Sequence, residues 1–105
     1  MKITDIKTFH SNDGHRNSMF LQVYTDEGIT GVGQPYSIGA DEAIIAAAES
    51  SKNWFIGQDP SRIEWLLRRA KNTMRFPLGA VEWSFLSGVD HALWDIAGKR
   101  AGVPI

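Results

Sequence analysis

The sequence predicts an α+β domain in which a three-stranded antiparallel meander is followed by three main helices. Three observations carry this. The first third of the chain consists of short apolar-rich runs separated by Asn, Asp and Gly. The remainder places apolar residues three and four apart, the period of one helical face. Finally, 105 residues with no repeat, low-complexity tract or linker make a single domain, 1–105, whose 43% hydrophobic residues can build a modest core.

The strands are expected at about 2–10, 19–25 and 29–33. Lys2 to His10 is rich in Ile, Thr and Phe, but Ile3 and Ile6 fall on opposite faces of a regular strand, so a bulge or an edge position is implied. Ser11 to Ser18 is a polar loop. Met19, Leu21 and Val23 then share one face of the second strand. Asp26-Glu27-Gly28 supplies a tight turn, with Gly28 free to adopt positive φ. The third strand holds Gly31 and Gly33, which suggests that another element lies close against it.

The helices are expected at about 41–54, 60–74 and 80–100. Gln34 to Ala40 is a second loop, and Asp41 reads as the N-cap of the first helix, whose inner face is Ile44, Ala48 and Ser51, continued by Phe55. Gly57 ends it. Asp59-Pro60 reads as N-cap and N1 of the second helix, striped by Ile63, Leu66, Leu67, Ala70 and Met74. Arg75 to Gly79 is a break. Leu86, Val89, Leu93 and Ile96 form the apolar face of the last helix, where Gly88 leaves room for a close neighbour. Asp95 and Lys99 stand at i, i+4 on an exposed side, and Gly102 followed by Pro104 is a strong stop.

Composition excludes several function classes. Eleven basic against twelve acidic residues leave a net charge of −1, so no nucleic-acid surface is implied. No segment approaches the roughly 18 apolar residues of a membrane span. The chain has no cysteine, which rules out disulfides and thiolate metal sites and suits a cytoplasmic protein. There is no phosphate-binding GxxxxGK, no HExxH and no nucleophile elbow; Gly31-Val32-Gly33 lacks the third glycine of a dinucleotide fingerprint.

His91 and Asp95 could place two ligands on one metal, yet no further ligands cluster nearby, so they read as a surface or interface pair and no metal site is assigned. Asp90 and Asp95, five apart on a helix, point in different directions. Two loops carry more promise. His15, Arg16 and Asn17 on the first, and Gln34, Tyr36 and Ser37 on the second, are donor-rich groups suited to a carboxylate or polyhydroxy ligand, with Arg16 able to grip a carboxylate through two bonds. The same composition also fits plain solvated loops. Arg75 and Phe76 could lean towards an anion or simply pack the turn. Trp54, Trp65, Trp83 and Trp94 lie on helices; Trp65 and Trp94, off the main stripes, suggest contacts with another domain or subunit.

Three ordered motifs carry a resemblance. Ser87-Gly88-Val89-Asp90-His91-Ala92-Leu93-Trp94-Asp95-Ile96-Ala97-Gly98-Lys99 with Ala101-Gly102-Val103-Pro104, preceded by Thr25-Asp26-Glu27-Gly28-Ile29-Thr30-Gly31-Val32-Gly33 and Ile56-Gly57-Gln58-Asp59-Pro60, resembles the N-terminal capping domain of the mandelate racemase/muconate lactonizing branch of the enolase superfamily. The resemblance spans essentially the whole chain. It implies a partner domain, a (β/α)7β barrel of about 250 residues, that holds Mg2+ and the bases removing the proton α to a substrate carboxylate. It implies no catalytic residue here. It also implies that the two polar loops cap the barrel mouth and set specificity. Where many relatives carry Gly-x-Gly-Glu after the third strand, this chain has Gln34, which removes a charge at the rim.

The parent is accordingly expected to be a Mg2+-dependent acid-sugar dehydratase and a homo-oligomer, with this chain inactive alone and, when isolated, prone to self-association. A racemase, epimerase or cycloisomerase is the alternative reaction. A non-catalytic interaction module is the alternative class, and an independent ligand binder is not expected because the loops alone enclose little volume.

Overall fold

The computed structural model describes residues 1–12, 17–35, 41–73 and 79–103. The elements run β1 (Ile3–Asn12), β2 (Asn17–Thr25), β3 (Thr30–Gly33), α1 (Asp41–Ser51), α2 (Ile63–Thr73) and α3 (Ala80–Ala101), with a 3-10 turn Lys52–Trp54 extending α1. The α+β architecture is the expected one: an antiparallel sheet in the order β1-β2-β3, then three helices.

The sheet solves the Ile3/Ile6 problem with a bulge. The register jumps between Ile3 and Asp5, leaving Thr4 as the extra residue, so Ile3 pairs with Thr25 and Ile6 with Val23. Positions 25 and 23 share a face, and both isoleucines are therefore buried with Met19, Leu21 and Val23. The turn after β2 places Gly28 at φ 81°. The start of β1 is tied to this turn by Asp26 N–H donating to the Lys2 carbonyl at 3.0 Å and Lys2 N–H to Asp26 Oδ1 at 2.9 Å.

Packing of α3 on the sheet explains the glycines. A Cβ on Gly31 would meet the Ala92 carbonyl oxygen at 2.1 Å, and one on Gly33 the Gly88 carbonyl oxygen at 1.8 Å. From the helix side, a Cβ on Gly88 would meet Pro35 Cγ at 2.8 Å and Leu21 Cδ2 at 2.9 Å. Strand and helix backbones thus touch with no side chain between them. Leu86, Val89, Leu93 and Ile96 complete the interface and are all buried. Across the core, Phe55 and Phe85 meet edge to face at 6.2 Å.

The ends of α3 follow from its sequence. Glu82 Oε2 accepts the Gly79 N–H at 3.1 Å at the start. At the finish Gly102 adopts φ 74°, and the N–H groups of Gly102 and Val103 bond the carbonyls of Lys99 and Gly98, a Schellman motif.

Four boundaries differ from the expectation. β1 and β2 extend to Asn12 and back to Asn17, because backbone pairing continues through residues whose side chains resemble turn formers. Asp41 is the first residue of α1 itself. And α2 begins at Ile63, not Pro60. Asp59 Oδ1 accepts the Ser61 N–H at 2.9 Å and the Asp59 carbonyl accepts Arg62 N–H at 3.2 Å, so 59–62 is a separate turn. Met74 lies outside the described residues.

Candidate functional site

The elements run so that one end of the domain collects the segments of interest. β1 ends and β2 begins there, with Asn12 opposite Asn17. β3 is antiparallel to β2 and ends there too, Gly33 opposite Leu21, so Gln34 and Pro35 emerge at the same end. Along α3, Gly88 meets Gly33 while Ile96 meets Gly31 and Lys99 meets Thr30, which sets the helix antiparallel to β3 with its start at this end. Lys71 lies over the Trp83 ring at 5.1 Å, bringing the last turn of α2 beside the first turns of α3. Lys52 pairs with Asp5 at 3.4 Å, so α1 finishes at the opposite end and starts at this one.

Of the six site residues expected from sequence, two are described. Asn17 is the first residue of β2 rather than a loop residue. Gln34 is exposed and held in place by its neighbour: Pro35 is fully buried and packs on Gly88. His15, Arg16, Tyr36 and Ser37 lie outside the described residues, as do Arg75 and Phe76. The element ends that flank them nevertheless converge at one end of the domain. Pro35 was not among the residues singled out, although a proline directly after a glycine-bearing strand is a signal for a fixed exit direction.

At the opposite end the two shifted titratable groups are engaged in local structural contacts. Asp59 is held below its ordinary carboxylate value, chiefly because the Ser61 N–H bonds its ionised form. Lys52 is raised above its ordinary value, first by its bond to Glu49 and then, against the burial of its stem, by Asp5. Asp95 is no metal ligand in waiting: its Oδ2 accepts the Val32 N–H at 2.9 Å and pairs with Lys99 at 3.2 Å, while His91 is exposed. Among the described residues no three His, Asp or Glu side chains converge as a metal site would require.

A meander whose third strand lies bare against a long final helix is the arrangement that the motifs implied, and the sequence match decides it. The family model for the mandelate racemase/muconate lactonizing enzyme N-terminal domain matches residues 5–105. The chain belongs to this family. Within it, the chain is 40% identical over all 105 residues to a D-galactonate dehydratase of Xanthomonas campestris and 41% identical to one of Ralstonia pickettii. It spans about a quarter of the length of these curated relatives, 27% in each case.

Solved enolase structures superpose on it closely. An enolase from Agrobacterium radiobacter, bound to Na and L-malate with an ordered active site, gives a TM-score of 0.93 at 38% identity, covering 99% of this chain and 26% of that one. An enolase from Pantoea ananatis with bound D-gluconate and Mg gives 0.88 at 34% identity, covering 95% and 25%. Structural neighbours therefore hold Mg or Na, while the described residues of this family member form no metal site of their own. No helix among its described residues is long and apolar enough to cross a membrane.

Proposed function

We propose that this chain is the substrate-capping domain of a Mg2+-dependent acid-sugar dehydratase. The parent removes the proton α to the substrate carboxylate and expels the β-hydroxyl as water, leaving a 2-keto-3-deoxy acid. The observation that carries this reading is identity of 40% across the entire chain with D-galactonate dehydratases, supported by D-gluconate in a neighbouring structure. Both are sugar acids. The metal ligands and the bases are assigned to a barrel domain outside these residues, and no catalytic step is assigned to this chain.

Its own contribution is recognition. His15, Arg16 and Asn17 with Gln34, Tyr36 and Ser37 supply donors for a carboxylate and hydroxyls, Arg16 by a two-bond grip and the others as single hydrogen bonds. What supports this is the shared end of the domain at which the flanking elements terminate. Gln34 offers the substrate a neutral amide, avoiding repulsion between a rim carboxylate and an anionic ligand. A homo-oligomeric, cytoplasmic parent completes the reading.

The test is to incubate the full-length gene product with Mg2+ and a panel of aldonic and aldaric acids, following 2-keto-3-deoxy acid formation. Dehydration of at least one acid sugar is expected. Racemised, epimerised or cyclised product would replace the reaction with the alternative in the same family, and a product that binds partners but turns over nothing would favour an interaction module.

A further inference from the structure

We infer that Gly88 of α3 is a positioning residue for substrate recognition, setting where Gln34 stands by bearing on both of its chain neighbours; this rests on the reading of Gln34 as a donor to the sugar acid. Gln34 is exposed between Gly33 and Pro35, which are both buried. Each of the two is seated on Gly88. On one side the Gly88 carbonyl lies so close to Gly33 that no Cβ fits between them. On the other, a Cβ on Gly88 would meet Pro35 Cγ at 2.8 Å, Pro35 Cδ at 3.0 Å and Leu21 Cδ2 at 2.9 Å. Leu21 is the partner of Gly33 across the sheet, so strand end, neighbouring strand and proline close around one helical residue.

An exposed side chain takes its place from its backbone, and here the backbone is held on both sides. The proline stiffens the hold: its ring fixes its own φ and confines the preceding residue, Gln34, to extended conformations. A shift of the ring is therefore passed to Gln34 rather than absorbed between them. A methyl group at 88 would drive Pro35 back by about 0.5–1 Å to restore ordinary contact. The useful range of a hydrogen bond is only about 0.5 Å, so a donor displaced this far loses its acceptor. Gly31 makes the same kind of close approach to Ala92 and Ile96, one turn further along α3 and away from Gln34. What separates Gly88 from it is the pair of residues that Gly88 holds.

The experiment measures kcat and KM of the full-length gene product, with Mg2+ and the acid sugar it turns over best, for Gly88→Ala, Gln34→Ala and the two combined. Gly88→Ala should raise KM about three- to tenfold, as the loss of one neutral hydrogen bond allows, and leave kcat within about twofold. In the Gln34→Ala background the same change should add nothing to KM. Asp95→Ala, which loosens the same helix–strand contact about two turns along α3, should leave KM as it was. If Gly88→Ala does not fold, Pro35→Ala removes the ring instead of displacing it, and the same pattern is expected. The inference is overturned by unchanged KM in a folded variant, by an effect that persists without Gln34, or by an equal rise in Asp95→Ala. A parent that dehydrates no acid sugar would remove the function, and the positioning is then read from crystal structures of the full-length protein and its variant. Overlaid on α3, they should place the Gln34 Cα about 0.5 Å or more apart; coincident positions would overturn the hold that Gly88 has on Gln34.

Discussion

Asp95 on α3 accepts the backbone N–H of Val32 on β3 at 2.9 Å, across 63 residues of sequence. Its ion-pair partner Lys99 donates to the Thr30 carbonyl at 2.6 Å. β3 is the edge of the sheet, so one acid and one base on consecutive helical turns satisfy the outward N–H and C=O that an edge strand would otherwise offer to another chain. The pair therefore ties helix to strand and occupies one N–H and one C=O of the β3 edge.

Asp95→Ala should cost about 1 kcal/mol, the lower part of the range for a hydrogen bond to a charged group because the site is partly solvated. Asp95→Asn keeps an acceptor and should lose less. Chemical denaturation checks both, and equal losses would show that charge, not the bond to Val32, matters.

Gly33 and Gly102 should fail for different reasons. At Gly33 a methyl group would run into the Gly88 carbonyl, backbone against backbone, so Gly33→Ala should cost about 3 kcal/mol or more. At Gly102 nothing lies within 4 Å, and only the left-handed backbone at φ 74° resists a side chain. Gly102→Ala should cost about 1 kcal/mol. Denaturation midpoints that reverse this order would mean the strand–helix contact is looser than described.

Asp59 and Lys52 should shape opposite limbs of the stability–pH curve. The folded value of Asp59 lies below its ordinary 3.8, so its contribution is present above that value and is lost as pH falls through the lower folded one. Lys52 lies above its ordinary 10.5, so its contribution is present below that value and is lost as pH rises through the higher folded one. The stability gap between wild type and Asp59→Ala should narrow in acid, and that between wild type and Lys52→Met in alkali. Gaps independent of pH would contradict the assignments.

Much of the fold was legible because each element carries its own period. The mispaired Ile3 and Ile6 announced a bulge, Gly31 and Gly33 a close neighbour, and Gly102 with Pro104 a stop. What failed was local chemistry with two outcomes. Asp59-Pro60 serves a helix start and a free-standing turn equally well, and only the bonds to Ser61 and Arg62 separate them. Asp95 and Lys99 were readable as an intrahelical pair, but their strand partners are set by tertiary packing that no local spacing encodes. Of the candidate site the sequence offered only two donor-rich stretches, and Asn17, read there as a loop residue, belongs to β2. That the elements bounding them end together follows from the antiparallel course of α3 along β3, which a one-dimensional reading does not contain.

The most direct test of the capping role is kcat/KM of the full-length gene product on its best acid sugar, with Mg2+, before and after Arg16→Ala. If these loops grip the substrate, the variant should lose about tenfold or more, as expected when a charge-assisted pair to a carboxylate is removed, with unchanged thermal unfolding. Unaltered kcat/KM in a folded, active enzyme would contradict the account.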